Sequence, residues 1–262
     1  MGAGRTGRSR IIGSAILRLD SIPSTNLFAS QLAESGCPDG TVVVAKVQTA
    51  GRGRRGRTWH SHPGGLMFSV ILRPRLSPRK AQVLTFLGAV AAAKALRSAG
   101  VPVELKWPND LVWNGKKMGG ILTESVVSGG KMKYAVTGIG LNVSGSQGDF
   151  PQEIRRTAAT ASRAAGKPVD GEMLLRKILV NMDTLYAVLG KRGGAKTLIT
   201  EWISLAGGTG REAVLREGNR IWRGVIRGFG LDGSLVMLTG EGRKKVFHSG
   251  EVTMLKGGCG RK

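Results

Sequence analysis

Three short segments of this 262-residue chain hold the residue types that handle anions. The first is Gly51-Arg52-Gly53-Arg54-Arg55-Gly56-Arg57-Thr58-Trp59. Its glycines let the backbone turn tightly and approach a ligand, and its arginines present planar forks that match carboxylate and phosphate. Trp59 adds a flat ring on which an adenine can pack; the composition equally suits a solvated or RNA-binding loop. The second segment runs from Lys106-Trp107-Pro108-Asn109-Asp110 to Lys117-Met118-Gly119-Gly120-Ile121-Leu122-Thr123-Glu124. Lys106 and Lys117, a short hairpin apart, can converge on one anion, and Asp110 can orient a basic group or help hold a magnesium ion. Either half alone reads first as a strand with ordinary exposed lysines. The third, Gly138-Ile139-Gly140-Leu141-Asn142, joins glycines that permit close approach to an amide that both donates and accepts. On its own such a sequence often marks only packed strands.

The elements that would position these segments are readable from periodicity. Ala15–Leu19 predicts a short strand, and Ser24-Thr25-Asn26 a helix start. Thr41–Val47 and Leu66–Leu72 predict buried strands, with the arginine segment as the loop between them. Pro78 opens a helical pattern that runs to Gly100. Val103–Trp107 predicts another strand, and Asn114-Gly115 a tight hairpin turn between Leu111–Trp113 and Lys116–Glu124. Ser144 to about Arg156 is polar, Gly-rich and aperiodic, and reads as mobile. Helices are expected over Gly171–Leu189 and Ala195–Leu205. From Gly210 onward, closely spaced short strands suggest a small barrel, with a boundary near Gly207-Gly208.

Composition narrows the class. No apolar run approaches the roughly twenty residues of a membrane span, and the N-terminus lacks the apolar core of a secretory signal. Cys37 and Cys259 sit in no metal or redox spacing, so a cytoplasmic, reducing setting is expected. His60 and His62 read as surface residues, and with His248 far away a zinc site lacks ligands. A net charge of +23 implies a field that attracts anions. The Lys and Arg residues are spread along the chain without the landmarks of a nucleic-acid-binding motif, so specific DNA binding is not expected.

The order and spacing of the three segments resemble the catalytic core of biotin protein ligases: GRGRRGRTW its ligand loop, KWPNDLVWNGKKMGGILTE its second signature, and GIGLNV its third. The resemblance covers about Leu19 to Leu255 and includes the ending FHSGEVTML. It implies an α+β fold: a basic arm at 1–14, a mixed sheet with helices at 15–207 similar to class II aminoacyl-tRNA synthetases, and a small SH3-like β-barrel at 208–262. The implied activity uses ATP and Mg2+ to convert biotin to biotinyl-5'-AMP. Biotin then passes to a lysine of a biotin carboxyl carrier protein or domain, and no tightly bound prosthetic group is needed.

By the same resemblance, Ser24, Thr25 and Gln48 bind the ureido head of biotin, and Gly51, Arg52 and the backbone at Gly138 complete its pocket. Arg54 and Lys117 meet the biotin carboxylate and the α-phosphate. Arg57, Trp59, Asn109, Asp110 and Asn142 serve ATP or the adenylate, with Lys106 nearby, and Ser144–Arg156 falls where the family has a loop that closes over it. Metal ligands, the carboxylase served, and the choice between monomer and homodimer stay open. The family's bifunctional members carry an N-terminal DNA-binding domain, whereas here the ligase pattern starts almost at once. Rivals are a lipoate ligase or octanoyltransferase on the same fold, and a nonenzymatic nucleic-acid binder. The octanoyltransferase needs a nucleophilic cysteine that none of the three motifs contains.

Overall fold

The computed structural model describes residues 10–240 and 242–255. Most of the predicted basic arm, residues 1–9, and Cys259 lie outside them. Chain order is β1 (Ile16–Ile22), α1 (Thr25–Glu34), β2 (Val42–Gln48), β3 (Gly65–Leu72), α2 (Gln82–Ser98), β4 (Glu104–Lys106), β5 (Asp110–Trp113), β6 (Lys116–Ser128) and β7 (Lys131–Asn142). Then come the short helices α3 (Gln152–Arg155) and α4 (Ala161–Ala165), the long α5 (Gly171–Leu189), and α6 (Gly194–Leu205). Strands β8 (Glu212–Glu217), β9 (Arg220–Phe229), β10 (Leu235–Thr239), β11 (Lys244–Phe247) and β12 (Glu251–Met254) finish the chain.

The first seven strands form one mixed sheet, ordered β1-β2-β3-β7-β6-β5-β4. Only β1 and β2 are parallel, so α1 serves as the crossover that such a pair requires. Alternation along the strands sorts the two faces. Val42, Val44, Phe68, Val70 and Leu72 join the large core under α2, α5 and α6, whereas Val43, Ile71 and Val136 pack beneath α1. Ser69 and Gly138 are register partners on neighbouring strands, and Leu122 is the next partner along the row. That row carries the site.

Helix α2 is apolar almost all round and is buried accordingly, because a second layer covers its outer side. Strands β8–β12 form an antiparallel sheet, ordered β11-β10-β9-β8-β12. Its inner residues Leu215, Ile226, Leu235 and Met237 belong to the same apolar cluster as α2. Phe86 of α2 packs on Trp202 of α6, which meets the edge of Phe229 in β9 at 5.0 Å between ring centroids. Trp107 Nε1 donates to Gly233 O in the β9–β10 turn at 2.9 Å.

Asn114 and Gly115 both take positive φ, 48° and 73°, as the two-residue hairpin between β5 and β6 demands. Two expectations need correction. Strand β4 stops at Lys106, and Trp107-Pro108-Asn109 turn the chain into β5. The segment 144–156 is structured: a one-turn helix at Gln147–Asp149 with a Ser146/Asp149 capping box leads into α3. Phe150 is buried against His62, with ring centroids 4.6 Å apart. That one aromatic supplies the apolar burial that the polar composition hid.

Candidate active site

Where β2 ends and α1 begins, side chains rather than backbone satisfy the helix start. The Ser24 hydroxyl caps the Leu27 amide, and Gln48 Oε1 accepts from both the Thr25 amide at 2.8 Å and the Thr25 hydroxyl at 3.0 Å. Gln48 Nε2 is left as an unspent donor. Ser69 Oγ sits within hydrogen-bond distance of Thr25 Oγ1 and Asn26 Oδ1, at 2.8 and 2.7 Å. Asn26 Nδ2 donates to Glu124 Oε2 at 2.8 Å, and Glu124 pairs with Arg52 at 3.0 Å. The network is buried and uncharged at its centre. A Cβ on Gly138 would lie 2.0 Å from Asn26 Oδ1, so only glycine lets α1 rest on the sheet there.

The cations gather beside this polar floor. Gly53 N donates to Arg57 O and Trp59 N to Gly51 O, folding the arginine segment into a hairpin-like loop. Arg54 Nη1 from that loop donates to Asn109 Oδ1 at 3.1 Å, and Asn109 Nδ2 donates to Ile121 O at 3.0 Å. Lys117 and Asp110 pair across the β5–β6 hairpin. Burial, then repulsion from Arg55, pulls the Arg54 guanidinium below its ordinary pKa. Burial also lowers the Lys106 pKa; Asp110 partly opposes that shift, and repulsion from Lys117 and Arg57 adds to it. These cations have been drawn out of water without full compensation, so an incoming anion is favoured.

The Trp59 ring lies over Gly140, two residues along β7 from Gly138, so closely that a Cβ there would be 2.6 Å from the indole. Its buried Nε1 has no partner in the protein, as is also true of the Trp202 and Trp222 indoles. The second sheet closes the wall with Glu251, Val252 and Thr253, and Glu251 pairs with Arg57. The result is one cleft that joins a neutral hydrogen-bonding floor, a group of cations and an indole face.

A sequence profile of the Biotin/lipoate A/B protein ligase family matches residues 18–142. The bifunctional ligase/repressor BirA of Bacillus subtilis is 37% identical over 92% of this chain and 74% of its own length. The biotin–[acetyl-CoA-carboxylase] ligase of Paracoccus denitrificans is 33% identical over 87% of this chain and 96% of its own. The chain belongs to the biotin protein ligase family. A solved biotin protein ligase from Aquifex aeolicus, in complex with biotin and ATP, superposes with a TM-score of 0.76 at 31% identity, covering 93% of this chain and all of that one.

Of the residues singled out for a biotin protein ligase, the structure brings Ser24, Thr25, Gln48, Arg52, Arg54, Arg57, Trp59, Lys106, Asn109, Asp110, Lys117 and Gly138 to this cleft. Two stand apart. Gly51 lies behind the wall, where its Cα closely faces Trp59 O and shapes the loop. Asn142 is buried beyond the cleft, its Oδ1 3.2 Å from His62 Nε2 and its Nδ2 donating to Ala159 O. His62, expected at the surface, is 6% exposed. Sequence reasoning missed Asn26, Ser69 and the Glu251–Thr253 edge. A lone serine in the apolar run Gly65–Leu72 signals a buried polar role; no local signal marks the β12 edge.

No helix among the described residues is long and apolar enough to cross a membrane. Nor do they hold three grouped His, Cys, Asp or Glu side chains of the kind that cage a metal.

Proposed function

We propose that this chain activates biotin with ATP, forming biotinyl-5'-AMP and pyrophosphate, and then passes biotin to a lysine of a biotin carboxyl carrier protein or domain. The observation that carries this reading is the junction in one cleft of the Thr25–Gln48–Ser69 network with Arg54, Lys106 and Lys117. The neutral end suits a ureido head, which both donates and accepts: Ser24, Thr25 and Gln48 Nε2 face it, with Arg52 and Gly138 bounding the pocket. The middle suits the reacting groups. A carboxylate oxygen attacks the α-phosphorus while the bond to pyrophosphate breaks, and Arg54, Lys106 and Lys117 offset the repulsion between two anions. Trp59 and Arg57 suit the adenosine end, with Asn109 holding Arg54 in place. A neutral carrier lysine then attacks the mixed anhydride, releasing AMP.

Magnesium fits this cleft as a partner of the nucleotide: Asp110 is a carboxylate beside the cationic middle, and such ions take one or two carboxylates plus substrate phosphates. When bound it would neutralise the departing pyrophosphate. We also read residues 15–207 as the catalytic unit and β8–β12, within 208–262, as the SH3-like unit. Asn142 serves the adenylate through His62 and the 144–156 segment rather than by contact. A cytoplasmic setting accords with the free thiol of Cys37. Cys37 lies under α1 with the smaller apolar cluster, away from the cleft, which disfavours an octanoyltransferase.

Incubation with biotin, MgATP and a carboxylase carrier domain should add one biotin to the carrier. No mass shift, or pyrophosphate release driven by lipoate rather than biotin, would overturn the assignment.

A further inference from the structure

Part of the positive charge that ligase chemistry leaves unexplained gathers around a second cleft, which shares no lining residue with the active site. Its walls are the segment 73–83 leading into α2, the α5–α6 turn with the start of α6, and the β9–β10 turn. Around it stand Arg75, Arg79, Lys80, Lys191, Arg192 and Lys196. All six are exposed, and among the described residues none is paired with a carboxylate. Arg73 differs, since its guanidinium donates to Ala33 O and Cys37 O. The carboxylate of Asp232 at the cleft accepts from the Ser234 amide and hydroxyl and faces His248 at 3.7 Å. The space between the cations is apolar: Ile11, Leu76 and Ala187 are half-buried there, and Leu231 is 53% exposed.

Six like charges around one concavity repel each other and focus a positive field into it, and nothing in the fold needs them there. We propose that this cleft docks an acidic segment of a partner protein, its carboxylates pairing with Arg75, Arg79 and Arg192 and an apolar side chain resting on Leu76 and Leu231. A charged rim around an apolar centre is the layout of a protein docking site, and arginine forks take carboxylates two bonds at a time. Single-stranded nucleic acid fits less well, because it would want aromatic faces for its bases. The one aromatic side chain lining it besides His248, Tyr186, is partly buried and tied by its hydroxyl to Asp39 Oδ2 at 2.9 Å, which leaves little ring face for a base. The chain's own ends fail on charge: residues 1–9 carry Arg5 and Arg8, residues 256–262 carry Lys256, Arg261 and Lys262, and neither has an acid. A second copy brings the same net +23.

The test measures binding to the full chain by fluorescence anisotropy. Its probe is a fluorescein-labelled peptide of about fifteen residues, Glu-rich with leucines at helical spacing; duplex DNA of matched charge is the comparison. We expect the peptide to bind, and the triple variant R75E/R79E/R192E to lose at least about tenfold in affinity. A second variant, K191E/K196E, should lose in the same direction, and Leu231→Ser should weaken the Glu/Leu peptide but not poly-glutamate. Biotin-dependent pyrophosphate release should be unchanged in all of them, since none of these residues lines the catalytic cleft; that readout also verifies folding. Absent peptide binding, binding indifferent to the charge reversals, or DNA bound more tightly than the peptide with the same losses would overturn the proposal.

Discussion

Lys117 Nζ lies 2.7 Å from Asp110 Oδ1, so this ammonium at the cleft is already paired before any ligand arrives. The pair is about two-fifths exposed at the lysine and a fifth at the aspartate, so its own contribution to stability is small. Its value lies in aiming: Asp110 holds Lys117 over the cleft instead of letting it sample solvent.

Lys117→Ala and Arg54→Ala should each depress adenylate formation by at least about tenfold, because each removes a charged donor worth roughly 1.5–3 kcal/mol at a developing anion. Pyrophosphate release in single turnover measures this; near-normal rates in both variants would remove these residues from their assigned roles.

Gln48→Leu or Thr25→Val should weaken biotin by about tenfold or more while leaving ATP binding within about twofold, because each leaves ureido groups unpaired. Calorimetric titration of each ligand separates the two effects. Equal losses would place the neutral end elsewhere.

Gly138→Ala sets a methyl group against Asn26, and α1 has to lift from the sheet. A destabilisation of about 1–3 kcal/mol is expected, together with loss of biotin affinity. Thermal melting and biotin titration of the same variant provide the check; an unshifted melting temperature would mean that α1 yields freely.

Lys106 gives a pH signature. Its folded-state pKa is depressed, chiefly by burial, so the folded protein binds its proton less readily than the unfolded chain. Its charged form therefore costs stability at neutral pH, and that cost disappears as pH rises through the lowered pKa toward the ordinary lysine range. Lys106→Met should be more resistant to denaturant than the parent at pH 7, with the difference shrinking above it, yet slower in adenylate formation. A difference that grows with pH would show that the lysine is not held against its charge.

Much of this was legible locally. Asn114-Gly115 announced the hairpin that brings Lys117 near Asp110, and the glycines of Gly138–Gly140 announced close approach, though not by what. The partners, Asn26 and the Trp59 ring, come from segments distant in the chain, and such contacts leave no periodicity. The His62–Phe150 contact was invisible for the same reason: neither residue's neighbours form a pattern, so the histidine read as surface and the segment as mobile. The β12 wall was least legible. Glu251 reaches Arg57 only because the second sheet packs on α2, a tertiary fact that no window of sequence contains.

That packing governs how the molecule comes apart. The indole of Trp107, one residue from Lys106, is anchored to Gly233 O, and Phe86, Trp202 and Phe229 form an aromatic bridge between the two sheets. With an apolar cluster running unbroken from one layer to the other, the two layers should melt together, as one transition in calorimetry. A chain trimmed before Glu212 would strip the cover from α2, leave the Trp107 indole without its acceptor and expose the Trp202 face to water. The portion that carries the arginine loop should therefore lose its stability when the portion that follows it is removed.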